Sequence, residues 1–175
     1  MKLIFTSVFS AILLVLAGCA PKESTKPAPT APTSASATAP VSAAPAGPRE
    51  IEITVGEGGG MAFSIKRIEA TAGEQLKITV SNTGTMPKEV MGHNFILFNQ
   101  GIDLETFGQE AAAAKPTDYI PPGFETEMIA HTRLLGPRES ESLTFTVPKV
   151  PGDYTYICST PGHYLSGMRG VLVVK

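Results

Sequence analysis

Three stretches of the chain alternate apolar and polar residues with a strict period of two: Ile51-Glu52-Ile53-Thr54-Val55, Leu76-Lys77-Ile78-Thr79-Val80 and Leu143-Thr144-Phe145-Thr146-Val147. In extended backbone, successive side chains point to opposite faces, so each stretch reads as a strand with one face buried and one wet. Wound as helices, the same residues would scatter their apolar groups around the whole circumference. Weaker versions of the signal lie at residues 61–65, 94–99, 125–131, 154–158 and 170–174. Turn chemistry separates them, at Gly58-Gly59-Gly60, Ala72-Gly73-Glu74, Asn82-Thr83-Gly84, Pro121-Pro122-Gly123 and Pro151-Gly152-Asp153. About eight short strands in one domain predict an all-β sandwich of two sheets. One stretch differs: residues 103–115 carry four consecutive alanines and predict a short helix, inserted at the sandwich's edge.

The alternating pattern begins only near Arg49. Before it, residues 20–48 are almost wholly Ala, Pro, Ser and Thr, with Val41 the one large apolar side chain. Such a segment cannot bury enough surface to offset the entropy of ordering it, so a disordered, partly extended linker is expected. Ahead of the linker, Met1-Lys2 is followed by an apolar run over residues 3–16, interrupted by Thr6, Ser7 and Ser10. A positive start, a short apolar stretch and then small residues make a secretory signal rather than a membrane span. The run ends Leu16-Ala17-Gly18-Cys19. This tetrapeptide resembles the lipobox of bacterial lipoproteins, which implies that Cys19 becomes the mature N-terminus and carries lipid. Ala20, where an Asp would favour inner-membrane retention, leaves the outer membrane open. The expected organisation is a lipoprotein signal peptide over 1–18, lipidated Cys19 and linker over 19–48, and a folded domain over 49–175. The expected location is outside the cytoplasm, lipid-anchored to a bacterial membrane and facing the periplasm or cell exterior.

Near the C-terminus the chain reads Cys158-Ser159-Thr160-Pro161-Gly162-His163-Tyr164-Leu165-Ser166-Gly167-Met168. A thiol, an imidazole and a thioether so close together are soft donors that suit copper; Cys with two His and a weak axial Met is the blue-copper set. Cys158 closes a predicted strand, so the following loop can fold His163 and Met168 back around one point. The second imidazole must come from elsewhere, from His93 or His131. His93 is favoured: Gly92 lets the backbone approach an ion closely, and Asn94 can brace the site by hydrogen bonds. His131 has no such neighbours and reads as a surface histidine. A disulfide between Cys19 and Cys158, the chain's two cysteines, is disfavoured, because a lipidated Cys19 has no free thiol.

Met91-Gly92-His93-Asn94 together with Cys158, Pro161-Gly162-His163 and Met168 resembles azurin and its close relatives in the cupredoxin family. The likeness extends to Pro87-Lys88-Glu89-Val90 and to Ala130-His131-Thr132-Arg133-Leu134, and spans nearly all of residues 49–175. It implies an eight-stranded Greek-key sandwich and one type-1 copper. It also implies electron transfer rather than enzymatic catalysis, with transient redox proteins such as cytochromes or oxidoreductases as partners. The Gly92 carbonyl enters as a candidate weak fifth ligand on the same ground. Four features depart from azurin. The loop between His163 and Met168 is one residue longer, as in auracyanin-like and plastocyanin-like relatives. Cys158 is the only thiol of the domain. Asn82 stands where the family has a pH-sensitive buried histidine, which predicts a potential nearly independent of pH near neutrality. The core tryptophan is missing, leaving Phe63 and Phe95 to fill its space.

Several alternatives are excluded. A formal net charge of −2 gives no basic excess for nucleic acid. Multicopper enzymes need a second copper and more histidines than the three present, and a dinuclear copper centre needs a second cysteine in the loop. A copper store uses open, exposed Met or Cys clusters rather than one closed His₂CysMet set. Met61, Met86, Val90, Met91, Pro161 and Leu165 are expected around His163 as an apolar docking patch for transient partners.

Overall fold

A computed structural model of the chain describes residues 47–175. The expected signal peptide, Cys19 and all but the last two residues of the expected linker lie outside the described residues. Among those described, no helix is long and apolar enough to cross a membrane.

The strands in chain order are β1 (Arg49–Val55), β2 (Arg67–Ala70), β3 (Gln75–Asn82), β4 (Ile96–Phe98), β5 (Met128–His131), β6 (Ser140–Thr146), β7 (Gly152–Ile157) and β8 (Arg169–Val174). They form two sheets, a three-stranded one in the order β1-β3-β6 and a five-stranded one in the order β2-β8-β7-β4-β5. β1 pairs with β3 and β2 with β8 in parallel; the other pairings are antiparallel. The sequence alternation survives in the burial: along β3, Leu76, Ile78, Val80 and Asn82 are buried and the residues between them are not. Cross-strand partners keep the register, with Leu76 opposite Phe145 and Ile78 opposite Leu143, so a slip by one residue would expose the whole apolar set.

The expected strand at 61–65 is instead an irregular segment making one bridge, Phe63 to Val55. Ser64 N–H donates to the Thr54 carbonyl, while Ser64 Oγ accepts from Thr54 N–H, which uses up the pairing there. The actual strand β2 lies just beyond. Its signal is only two buried apolar residues, Ile68 and Ala70.

Between the sheets, Phe63, Phe95 and Tyr156 pack ring against ring at centroid distances of 4.9–5.9 Å. Tyr156 is the partner the sequence did not reveal. Its hydroxyl donates to the Ile65 carbonyl at 2.6 Å, and its ring lies against Gly170, where any Cβ would collide with it.

Strand β4 is buried on both faces, and this explains the helical insertion. Phe95 and Leu97 face the inter-sheet core; Ile96 and Phe98, with Ile157, face outward. Helix α2 (Leu104–Ala113) covers that outer face with Phe107 and Ala111. It therefore lies across the sheet rather than at its edge. Asp103 caps it, accepting from the N–H groups of Glu105 and Thr106. A shorter helix, α1 (Lys88–Met91), leads into the segment that carries His93.

Candidate metal centre

His93 is delivered by the end of α1. Gly92 terminates that turn, donating to the Lys88 carbonyl at 2.9 Å. A Cβ at Gly92 would lie 2.6 Å from the Lys88 carbonyl oxygen and 2.8 Å from Leu134 Cγ, so the glycine serves close packing of α1 and the 134 segment. His93 then pairs with Leu135 through both backbone groups. Cys158 comes directly off the end of β7. The loop after it closes on itself: His163 N–H donates to the Thr160 carbonyl, Met168 N–H to the His163 carbonyl, and Cys158 N–H to the Met168 carbonyl. Both ends of the loop are thereby held at one place.

These two segments, far apart in the chain, bring His93, Cys158 and His163 together with their donor atoms all within 4.8 Å of one another. The two imidazole rings lie 4.9 Å apart between centroids, and Sγ of Cys158 lies 3.5 Å from Nδ1 of His163. Met168, at the end of the same loop, is fully buried. His131, the alternative second histidine, is exposed on β5 and outside the cluster.

The burial has electrostatic consequences. Removal from water disfavours the charged form, so the pKa of His93 falls to about 4, with the nearby His163 adding to the drop. Burial likewise lowers that of His163. It pushes the Cys158 thiol up, although backbone N–H groups of Asn94 and Thr160 directed at the sulfur oppose the shift. Both histidines are therefore neutral at pH 7, with lone pairs free to ligate. Neither nitrogen of His93 has a hydrogen-bond partner among the described residues, and both are buried. Buried polar atoms are seldom left so, and one nitrogen of the ring can give its lone pair to an ion held together with Cys158 and His163. The donors converging on that point, one thiol and two imidazoles, fit copper.

Around the donors lies a shell of neutral hydrogen bonds. Asn94 Nδ2 donates to the Asp118 carbonyl at 3.0 Å and to Ser159 Oγ at 2.7 Å, while Asn94 Oδ1 accepts from Ser159 N–H at 2.8 Å. Thr160 Oγ1 donates to the Gly92 carbonyl at 2.8 Å, joining the two ligand segments directly. Asn82 is buried and amide-bonded, donating to the Leu135 carbonyl and accepting from Gly84 N–H. Asn94 was recognisable beforehand; Ser159 and Thr160 were signalled only by standing next to Cys158, and Asp118 by nothing local.

The sequence model of copper-binding proteins of the plastocyanin/azurin family matches residues 49–175. The chain belongs to that family. It is a blue-copper electron carrier, not an enzyme, and copper is its cofactor. The azurin of Pseudomonas fluorescens biotype C is 35% identical over 130 residues, covering 72% of this chain and 99% of that one. Outer membrane protein H.8 of Neisseria gonorrhoeae is 37% identical over 112 residues, or 63% of this chain and 60% of that protein. Among solved structures, auracyanin A from Chloroflexus aurantiacus superposes with a TM-score of 0.64 at 32% identity, covering 74% of this chain and all of that one. Reduced auracyanin from Roseiflexus castenholzii gives 0.63 at 35% identity, over 72% and 96%. The eight-stranded Greek-key sandwich implied by the resemblance is the observed architecture.

Of the apolar patch residues, Met61, Met86, Val90 and Leu165 are exposed, Leu165 by 86%. Pro161 is exposed as well and Met91 is half-buried. His163 itself is 4% exposed, a narrower window than an open edge.

Proposed function

We propose that His93, Cys158 and His163 would hold the copper as its strong ligands, with Met168 as a weak ligand and the Gly92 carbonyl as a candidate weak fifth. The observation that carries this is the convergence of three buried donors, one thiol and two imidazoles, whose ligand atoms all lie within 4.8 Å of one another. Copper supplies a Cu(II)/Cu(I) couple that accepts and releases one electron. The protein's part is to keep the donors where they are in both states. Cys158, buried with a raised pKa, gives up its proton only as metal binds. Asn94, Ser159 and Thr160 fix the backbone on either side of the sulfur, so little moves on electron arrival and little reorganisation opposes the transfer. Electrons would pass through His163, which stands in the loop between the exposed Pro161 and Leu165. Met61, Met86, Val90 and Met91 complete a docking patch for transient redox proteins such as cytochromes or oxidoreductases. Apolar contacts without ion pairing suit brief complexes of small area.

The same reading makes the protein a lipoprotein, exported by residues 1–18 and anchored through acyl chains on Cys19, with residues 19–48 as a leash. A relative named as an outer membrane protein supports a membrane location facing the periplasm or exterior. A visible spectrum and redox titration of the purified copper-loaded protein test the ligand set. An intense thiolate-to-copper band that bleaches on one-electron reduction is expected; a colourless oxidised protein would sink it. Mass spectrometry of the membrane-extracted protein tests the anchor, which requires a chain beginning at acylated Cys19.

A further inference from the structure

Asp118 is not a ligand and touches none, yet it contacts the supports of both ligand segments. Its carbonyl accepts from Asn94 Nδ2 at 3.0 Å, and Asn94 holds Ser159, next to Cys158. Its carboxylate Oδ2 accepts from Leu134 N–H at 3.1 Å, and the adjacent Leu135 is the backbone partner of His93. The other oxygen, Oδ1, lies 3.6 Å from Nζ of Lys88, in the helix that delivers His93. That pair is long and partly exposed, so it contributes little.

The backbone at this point is unusual. Asp118 and Tyr119 have φ of 57° and 61°, a region most non-glycine residues avoid. A pair of such residues persists where the surroundings fix it. Here the 3₁₀ turn Lys115–Thr117 after α2 does so, with Asp118 N–H donating to the Lys115 carbonyl and Tyr119 N–H to that of Ala114. α2 itself is locked by Phe107 and Ala111 against the outer face of the sheet. The helical insertion thus ends by presenting one carbonyl and one carboxylate toward the metal centre.

We propose that Asp118 is a positioning residue for the copper site, setting the Cys158 and His93 segments relative to each other through Asn94 and through Leu134–Leu135. The role rests on the ligand set proposed above, and presence of the blue band in the unaltered protein checks that set separately. Three substitutions separate side chain from backbone. Asp118→Asn keeps an acceptor oxygen for Leu134 N–H and tolerates the left-handed backbone. Asp118→Gly relaxes that backbone and removes the acceptor. Asp118→Ala removes the acceptor and strains the backbone. Each copper-loaded variant is compared with the unaltered protein by visible absorption, copper hyperfine splitting in EPR, reduction potential and melting temperature. Asp118→Gly and Asp118→Ala should both shift the thiolate-to-copper band, the hyperfine splitting and the potential, while Asp118→Asn restores all three. In the copper-free protein, the same two variants should broaden the Asn94 side-chain amide resonances, and Asp118→Asn should not. A lower melting temperature with the band and potential unmoved would overturn the proposal, since packing alone produces that result. So would an Asp118→Gly protein with the spectrum of the unaltered chain, which would leave only the backbone conformation at work.

Discussion

At the metal end of the sandwich, neutral hydrogen bonds, most of them buried, join Asn94 to Ser159 and to the Asp118 carbonyl, and Thr160 to the Gly92 carbonyl. At the other end of β8, six residues and ~20 Å away, the closing contacts are ionic. There Arg49 pairs with Glu74 at 2.7 Å, and Lys175 and Arg67 both pair with Glu69. The chain enters the domain at this far end, and its last residue lies there too. The two chemistries suit different tasks. Exposed ion pairs are screened by salt and tolerate motion, adequate for tying down strand ends. Buried hydrogen bonds between neutral groups have directional geometry and lose a full desolvation cost when broken. The second kind suits holding donors still for an ion that changes charge, and the Asp118 carboxylate adds one charged acceptor there, to Leu134 N–H.

The contrast can be broken in several ways. Cys158→Ser removes the soft donor and should abolish the visible band altogether, with copper affinity falling by orders of magnitude. The far end should stay folded, as shown by an unchanged far-ultraviolet circular dichroism spectrum. Asn94→Leu should come next in size. It strands Ser159 N–H, Ser159 Oγ and the Asp118 carbonyl, at ~1–3 kcal/mol for each buried group, so a loss of about 3 kcal/mol in urea denaturation is expected. The blue band should shift as well; an unaltered band would show that the hydrogen-bonded shell does not set the geometry.

Acid sharpens the comparison in the copper-free protein. His93 folds with a pKa of about 4 against 6.5 in the unfolded chain. Between those values the unfolded state binds more protons, so stability is greatest above the upper one and falls as pH drops toward the lower. Denaturation of the apoprotein from about pH 7 down to about pH 4 reads this directly; a flat profile would mean that His93 is hydrated in the apoprotein. Met168→Leu should raise the reduction potential, measured by titration, because a weak donor that favours the oxidised ion is gone. Copper should remain bound; its loss would make the thioether more than a weak axial ligand. The smallest effect belongs to the far end. Arg49→Ala should cost ~1 kcal/mol or less, vanish in molar salt, and leave spectrum and potential untouched.

How much could be read in advance depended on how local each signal was. The half-buried strands β1, β3 and β6 stood out because a one-face-buried strand writes its period into consecutive residues. β2 has four residues and only two buried side chains on its one buried face, too short for a period to register, and the neighbouring Phe63 drew the strand to the wrong segment. The place of α2 was misjudged for a similar reason. That Ile96 and Phe98 form a second apolar face on β4 is invisible until Phe95 and Leu97 are known to fill the first.

The sequence by itself offered the donor chemistry of the proposed ligand set: a thiol, two imidazoles and a thioether, with Gly92 and Asn94 beside the first imidazole. Residue types and short spacings are local properties, and ligand softness belongs to the atoms themselves. Tertiary structure brought His93, already favoured over His131 by its neighbours, to Cys158, and it alone decided that Tyr156 completes the aromatic core and that Asp118 reaches the supports of both ligand segments. Each of these joins residues tens of positions apart, and such distances are set by how two sheets and a helix pack, for which no single segment of chain carries the code.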